Sequence, residues 1–325
     1  MTDVYWQRVA AVAAALQAAA AAGDETGDRE LIARLTLPRA GEAAYLRPPA
    51  DIRDVVVSSA SHPVPVRIYQ PHEAPSPRPL LIWCHGGAFL GGDLDMPEAD
   101  AVAREIVDRA GAVVVSVDYR LCVNGVHFPA PSDDVMVVYQ WALRHAADLG
   151  IDPARITLGG ASAGACLTAG LALRIRDAGG PQPAALVLAY PVVHTVLPAA
   201  STELAQKLAG LNPAMAFAPE VIEPVMENYV GGPAETASPY AAAGLATDLS
   251  GLPATLIINC EYDGLRASGE RFAEQLRESG VEVEVQLAAD VAHGHLNRPG
   301  LPQAQVSLGQ IGDWVGERRA VEARR

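Results

Sequence analysis

The segment "LGGASAGA" (residues 158–165) sets one serine, Ser162, between Gly160 and Gly164 directly after an apolar run. The pattern is G-x-S-x-G. A serine on a sharp strand-to-helix turn is a nucleophile candidate, because that crowded turn needs small neighbours. A passive serine at a Gly-rich junction would read the same way. A serine hydroxyl is a poor nucleophile at neutral pH, so chemistry requires a base. It also requires a carboxylate to orient the base and N–H donors for the oxyanion that develops during attack.

Each partner has a candidate. "HGGAF", His85 to Phe89, follows the apolar run "PLLIWC". Consecutive glycines let backbone N–H groups turn toward a ligand without obstruction by Cβ. The N–H of Ala163, the residue after the serine, is the expected second source of oxyanion donors. Asp263 in "NCEYDGLR" is the acid candidate, and nearby Glu261 reads as a supporting residue. His293 and His295 in "ADVAHGHLNR" are both base candidates. Every candidate lies just past a predicted strand, and the chain order is Ser, Asp, His.

The elements that must hold these residues follow from periodicity. "DVVVSS" and "VPVRIY" suit a hairpin. Residues 79–85, 111–119, 155–160, 184–190 and 254–260 are short apolar runs, as expected of strands buried on both faces. Residues 281–287 alternate like an edge strand. Between them lie helical patterns: one from Pro97 to Gly111, one capped by Ser132 or Asp133 and stopped at Gly150, one ending at Gly280, and a last one striped by Leu308, Ile311 and Val315. Alternating strands and helices predict a mostly parallel sheet with helices on both faces. Residues 192–250 break the rhythm with Ala- and Pro-rich helical segments, and read as an insertion over the sheet.

Composition narrows the partners. The 325 residues are 50% hydrophobic, enough for one large α/β domain or two smaller ones. The net charge of −14 and the absence of a basic stripe disfavour a phosphate-backbone ligand; they are compatible with a neutral small molecule, or with solubility alone. The one lysine, Lys207, is the only candidate for phosphate-loop or Schiff-base chemistry. The four cysteines form no C-x-x-C pair, which disfavours zinc and redox motifs and points to reduced thiols in a cytoplasmic protein. No stretch has the length and hydropathy of a membrane span. The Ala-rich N-terminus carries Trp6, Val9, Val12 and Leu16 at helical spacing, which fits an amphipathic helix better than a signal sequence. A homo-oligomer is compatible with the sequence, which carries no sign of its state.

Together these motifs resemble those of the bacterial relatives of hormone-sensitive lipase in the α/β-hydrolase superfamily, from about residue 50 to the C-terminal helix. "HGGAF", "VDYRL", "FPAPSDD" with Trp141, "GGASAG", "SPYAA", "LSGLPATLI", "EYDGLRASGE" and "HGHL" carry the resemblance. It implies an α/β-hydrolase fold with an eight-stranded, mostly parallel sheet and a helical cap. It implies cap helices in residues 1–50, and a catalytic domain over 51–325 with a cap insertion at about 192–250. It further implies Ser162 as nucleophile, Asp263 as orienting acid, His293 as base, and Gly86, Gly87 and Ala88 as oxyanion-loop positions beside Ala163. The implied activity is hydrolysis of small to medium carboxylic esters with short acyl chains, without metal or organic cofactor. The rival readings are an amidase or deacetylase, and a non-catalytic receptor on the same fold. Departures from the family pattern fall at Ala161, at Gly264 (proline in the family, suggesting a looser Asp263 loop), at "CVNGV" (122–126), and at His295, which sets a titratable ring beside the base.

Overall fold

The structure, a computed structural model, describes residues 42–59, 62–73 and 75–318 together with Leu31 and Leu35. The amphipathic helix expected around Trp6 to Leu16, and most of the cap segment expected in residues 1–50, lie outside the described residues.

One eight-stranded sheet organises the chain: β1 (Asp51–Val57), β2 (Val64–Gln70), β3 (Arg78–Cys84), β4 (Val113–Val117), β5 (Ile151–Ala161), β6 (Ala185–Ala189), β7 (Ala254–Tyr262) and β8 (Val283–Ala292). The spatial order is β1-β2-β4-β3-β5-β6-β7-β8. β1 and β2 form the expected antiparallel hairpin, and β2 runs antiparallel to β4. All remaining pairs are parallel, and β8 lies at the edge, as its alternation predicts.

The central strands read as unbroken apolar runs because each face has its own core. Leu80, Ile82, Val113, Val115, Leu186 and Leu188 point to one side. Leu81, Trp83, Val114, Ala185 and Val187 point to the other. On the first face pack α2 (Ala130–Arg144), α4 (Ala163–Asp177) and α7 (Arg266–Glu278), through residues such as Val135, Leu167 and Phe272. On the second pack α1 (Pro97–Ala110) and α8 (Pro302–Glu317), through Val102, Ile106, Leu308, Ile311 and Val315. Residues 192–250 contribute α5 (Thr202–Leu208) and α6 (Pro219–Val230) and, among the described residues, no strand.

Three boundaries differ from expectation. α2 starts at Ala130, so Ser132 and Asp133 lie inside its first turn and neither caps it. Pro131 explains this, since proline tolerates a first-turn position where the missing N–H is not needed. The same helix breaks at His145 before the short α3 (Ala146–Leu149). β5 begins at Ile151, four residues before the apolar run at 155, because Asp152 and Pro153 mask its polar start. The consequence for chemistry is simple. β3, β5, β7 and β8 point the same way, so whatever follows their last residues meets at one edge of the sheet.

Candidate active site

Ser162 stands between the last residue of β5 and the first of α4. Its backbone is left-handed, at φ 53° and ψ −115°. Such a conformation is rare and strained outside glycine. The turn closes so tightly that a Cβ on Gly160 would lie 2.4 Å from the carbonyl carbon of Gly164, and one on Gly164 would lie 2.0 Å from the carbonyl oxygen of Cys84. Those two approaches explain why both flanking positions of the motif are glycine. The Ser162 amide is fixed by donating to the Ala189 carbonyl at 2.8 Å.

His293 lies 131 residues from Ser162 in sequence, and Asp263 lies 30 residues from His293. His293, just past β8, places Nε2 3.0 Å from Ser162 Oγ and Nδ1 2.7 Å from Asp263 Oδ2. Asp263, just past β7, is fully buried, and its other oxygen accepts the Leu265 amide at 2.9 Å. This is an unbroken hydroxyl–imidazole–carboxylate relay. It can deliver a proton from Ser162 to the ring while the carboxylate fixes the tautomer.

The two rival partners sit elsewhere. Glu261 accepts Lys207 Nζ at 2.5 Å and the Asp290 amide at 2.5 Å. Burial works to raise its pKa, yet these hydrogen bonds and the lysine charge hold it below the ordinary glutamate value. It thus ties α5 to the loop beside Asp263. His295 is turned into the core, with Nδ1 3.2 Å from Cys260 Sγ and Nε2 2.9 Å from Ser307 Oγ. Burial, aided by the charge on His293, pushes it down to about 3. The expectation of a titrating ring beside His293 therefore fails: burial keeps His295 neutral far below the ordinary histidine range.

In the loop after β3, Gly87, Ala88 and Phe89 all have positive φ (120°, 55° and 61°). The amides of Gly87 and Ala88 make no hydrogen bond among the described residues. Ala163 opens α4, where the first amides have no carbonyl of a preceding turn to bond. Gly86 differs from its expected role, because its amide donates to Glu98 Oε2 at 3.0 Å and is not open to a ligand. His85 stacks on Tyr119 with centroids 4.4 Å apart, and its carbonyl accepts the Tyr119 hydroxyl at 2.8 Å.

The Asp263 loop is not loose. A Cβ on Gly264 would lie 2.4 Å from the Ala216 carbonyl oxygen and 2.8 Å from that of Phe217. The Gly264 amide donates to Ala216 at 2.9 Å. Glycine here admits a turn of the 192–250 segment. That contact seats Phe217 on His293, with ring centroids 4.1 Å apart. Phe217 also lines a cavity of about 340 Å³, walled by apolar residues such as Leu197, Pro198, Leu208, Pro213 and Gly264. The "CVNGV" segment is pinned as well: Cys122 donates its amide to Phe89 at 2.7 Å, and its carbonyl accepts Asn228 Nδ2 from α6 at 2.8 Å.

Phe217, Asn228 and Glu98 were not legible as site residues. Phe217 and Asn228 sit in a segment with no motif. Glu98 did leave a trace: with Val102 and Ile106 it follows the i, i+4, i+8 stripe that α1 buries.

A profile of proteins with the alpha/beta hydrolase fold matches residues 81–297 of this chain. The chain is 37% identical over 238 residues to Carboxylesterase NlhH of Mycobacterium tuberculosis, covering 72% of each protein. It is 32% identical over 265 residues to Esterase LipI of the same organism, covering 80% of this chain and 79% of that one. A hyperthermophilic esterase structure from the archaeon Pyrobaculum calidifontis is similar at a TM-score of 0.74 and 30% identity, covering 82% of this chain and 85% of that one. No helix among the described residues is long and apolar enough to cross a membrane.

Proposed function

The chain belongs to the α/β-hydrolase family, among the bacterial relatives of hormone-sensitive lipase, and is a serine hydrolase of carboxylic esters; from that premise we propose that Ser162 is the nucleophile, His293 the general base and Asp263 the carboxylate that orients it. The observation that carries this reading is the relay itself, 3.0 Å from Ser162 to His293 and 2.7 Å on to Asp263. Ser162 Oγ attacks the ester carbonyl while His293 Nε2 takes its proton. The tetrahedral oxyanion faces the amides of Gly87, Ala88 and Ala163, with the N-terminus of α4 adding its dipole. Collapse expels the alcohol, which takes the proton back from His293 and leaves an acyl-enzyme. Water then attacks with His293 again as base, and the acid departs. Gly86 supports the oxyanion loop through its fixed peptide.

Asp263→Asn is expected to lower kcat by about 10⁴-fold with binding retained, since the amide favours the wrong imidazole tautomer and leaves the imidazolium unstabilised. Glu261→Gln is expected to leave kcat within a few-fold. Steady-state kinetics on one ester checks both. A more damaging Glu261 change would reassign the acid.

The 192–250 segment, with Leu31 and Leu35 packed on it, serves as a cap over this edge of the sheet. Packing of Leu31 and Leu35 against Leu211 and Met215, and of Phe217 on His293, supports that division. The cavity beside Phe217 is apolar and at the small end of ligand pockets, which supports short to medium, uncharged acyl esters. A series of esters of rising acyl length tests this, and long-chain triglycerides as best substrates would refute it. Gly264→Ala is expected to displace the Ala216–Phe217 backbone. Stability should drop by about 1–3 kcal/mol and the chain-length profile should change. Thermal melts and the same ester series check it, and an unchanged profile would remove Phe217 from substrate selection.

A further inference from the structure

We propose that Glu98 is the positioning residue of the oxyanion loop: its buried carboxylate holds the Gly86 peptide so that the amides of Gly87 and Ala88 face the carbonyl oxygen under attack. The proposal rests on Ser162 as nucleophile and deepens that reading.

Glu98 lies in the first turn of α1, is 1% exposed, and pairs with no lysine or arginine among the described residues. Its Oε1 accepts Trp83 Nε1–H at 2.7 Å, and its Oε2 accepts the Gly86 amide at 3.0 Å. Its own amide donates to Asn297 Oδ1 at 3.2 Å. Asn297 belongs to the loop that carries the base, and its amide closes a turn onto the Gly294 carbonyl at 2.9 Å. One residue therefore joins the end of β3, the oxyanion loop and the histidine loop. Gly86 is wedged between that carboxylate and the nucleophile, since a Cβ on it would lie 3.4 Å from Glu98 Oε2 and 3.5 Å from Ser162 Cβ.

A buried carboxylate without a cation is costly, so its presence needs a reason. Both of its neighbours are donors. A carboxylate offers an acceptor to each, whereas glutamine offers one acceptor and turns an amide N–H against the other donor. The loop beyond Gly86 needs such an anchor, because Ala88 and Phe89 hold left-handed backbones that side chains disfavour. The N-terminus of α1 adds a favourable dipole for the anion.

Protonation would undo the arrangement. The acid's hydroxyl hydrogen would face a donor, so one of the two bonds must break. Burial pushes Glu98 up to about 7, against the hydrogen bonds from Gly86 and Trp83 and the charge on His293. The other titratable groups coupled to it are Cys84, Tyr119 and Tyr190, all kept neutral by burial. On acidification, then, protonation of Glu98 adds its own partial loss to the loss of the neutral base, and the acid limb of log kcat/KM should be steeper than a single ionisation gives.

The test uses the full-length chain and its Glu98→Gln and Trp83→Phe variants, assayed on one short-chain ester across pH. Glu98→Gln is expected to lower kcat by about 10- to 100-fold with KM little changed, less than the loss of an oxyanion donor outright. Its affinity for a trifluoromethyl ketone, which forms a tetrahedral adduct, should fall in parallel, and its acid limb should relax to a slope of about one. Glu98→Asp, an anion one methylene shorter, should recover part of kcat. Trp83→Phe removes a donor that favours the anion, so its acid limb should move to higher pH. Unchanged kcat and ketone affinity in a folded Glu98→Gln enzyme would overturn the proposal, as would a lowered melting temperature with wild-type kinetics. If Glu98→Gln does not fold, an unmoved acid limb in Trp83→Phe overturns it. Turnover surviving Ser162→Ala would instead bring down the reading beneath it.

Discussion

Ser162→Ala is expected to lower ester hydrolysis by roughly 10⁶-fold while leaving the fold intact. The loss is that large because nucleophile and base act as a unit, so only the oxyanion amides and substrate binding remain to help water. The fold survives because alanine keeps the Cβ, and the amide bond to Ala189 does not involve the side chain. The left-handed strain at φ 53° is equally present in both residues. Among the described residues, the side-chain bond removed is the one to His293. Labelling by a fluorophosphonate should vanish with the activity, and the melting temperature should stay within a few degrees. A folded variant with near-normal turnover would show that the elbow serine is passive.

The sheet could be read from the sequence because its strands are buried on both faces, which writes them as apolar runs such as residues 79–84 and 184–190. The candidate residues could be located because each follows a strand, apolar for Ser162 and Asp263 and alternating for His293, and a parallel sheet gathers those ends. What escaped depended on contacts between distant segments. Gly264 looked like looseness in the Asp263 loop. Its meaning lies in the backbone of Ala216 and Phe217, which passes within 2.4 Å of where a Cβ would be. Glu98 belongs to no motif, and only the fold shows that Gly86 and Trp83 converge on it. The "CVNGV" departure carried no sign of what holds the segment, and the answer is Asn228, 106 residues from Cys122. Spacing along one element is visible in a sequence, whereas the complementarity of two loops is not.

The sequence also offered two histidines for one role, and the structure separates them by environment. His293→Ala is expected to lose nearly as much activity as Ser162→Ala, since without the imidazole the hydroxyl has no acceptor for its proton. His295→Phe should keep most of kcat and leave the acid limb where it is. A neutral, buried ring carries no charge with which to oppose an imidazolium at His293, so removing it changes nothing electrostatic there. Its effect should fall on stability instead. Near pH 7 the variant loses the bonds to Ser307 and Cys260 and leaves a buried hydroxyl without its partner, a loss of about 1–3 kcal/mol. The pH dependence has a definite sign. His295 titrates near 6.5 when unfolded and is pushed down to about 3 when folded, so the unfolded chain takes up its proton first. Wild-type stability is therefore full above the unfolded value and declines as pH falls from there toward 3. Phenylalanine cannot take up that proton, so the stability gap between wild type and His295→Phe should narrow and then reverse on acidification. Melting curves at several pH values read this directly, and pH–rate profiles read the other half. An active His293→Ala enzyme beside an inactive, folded His295→Phe one would exchange the two roles.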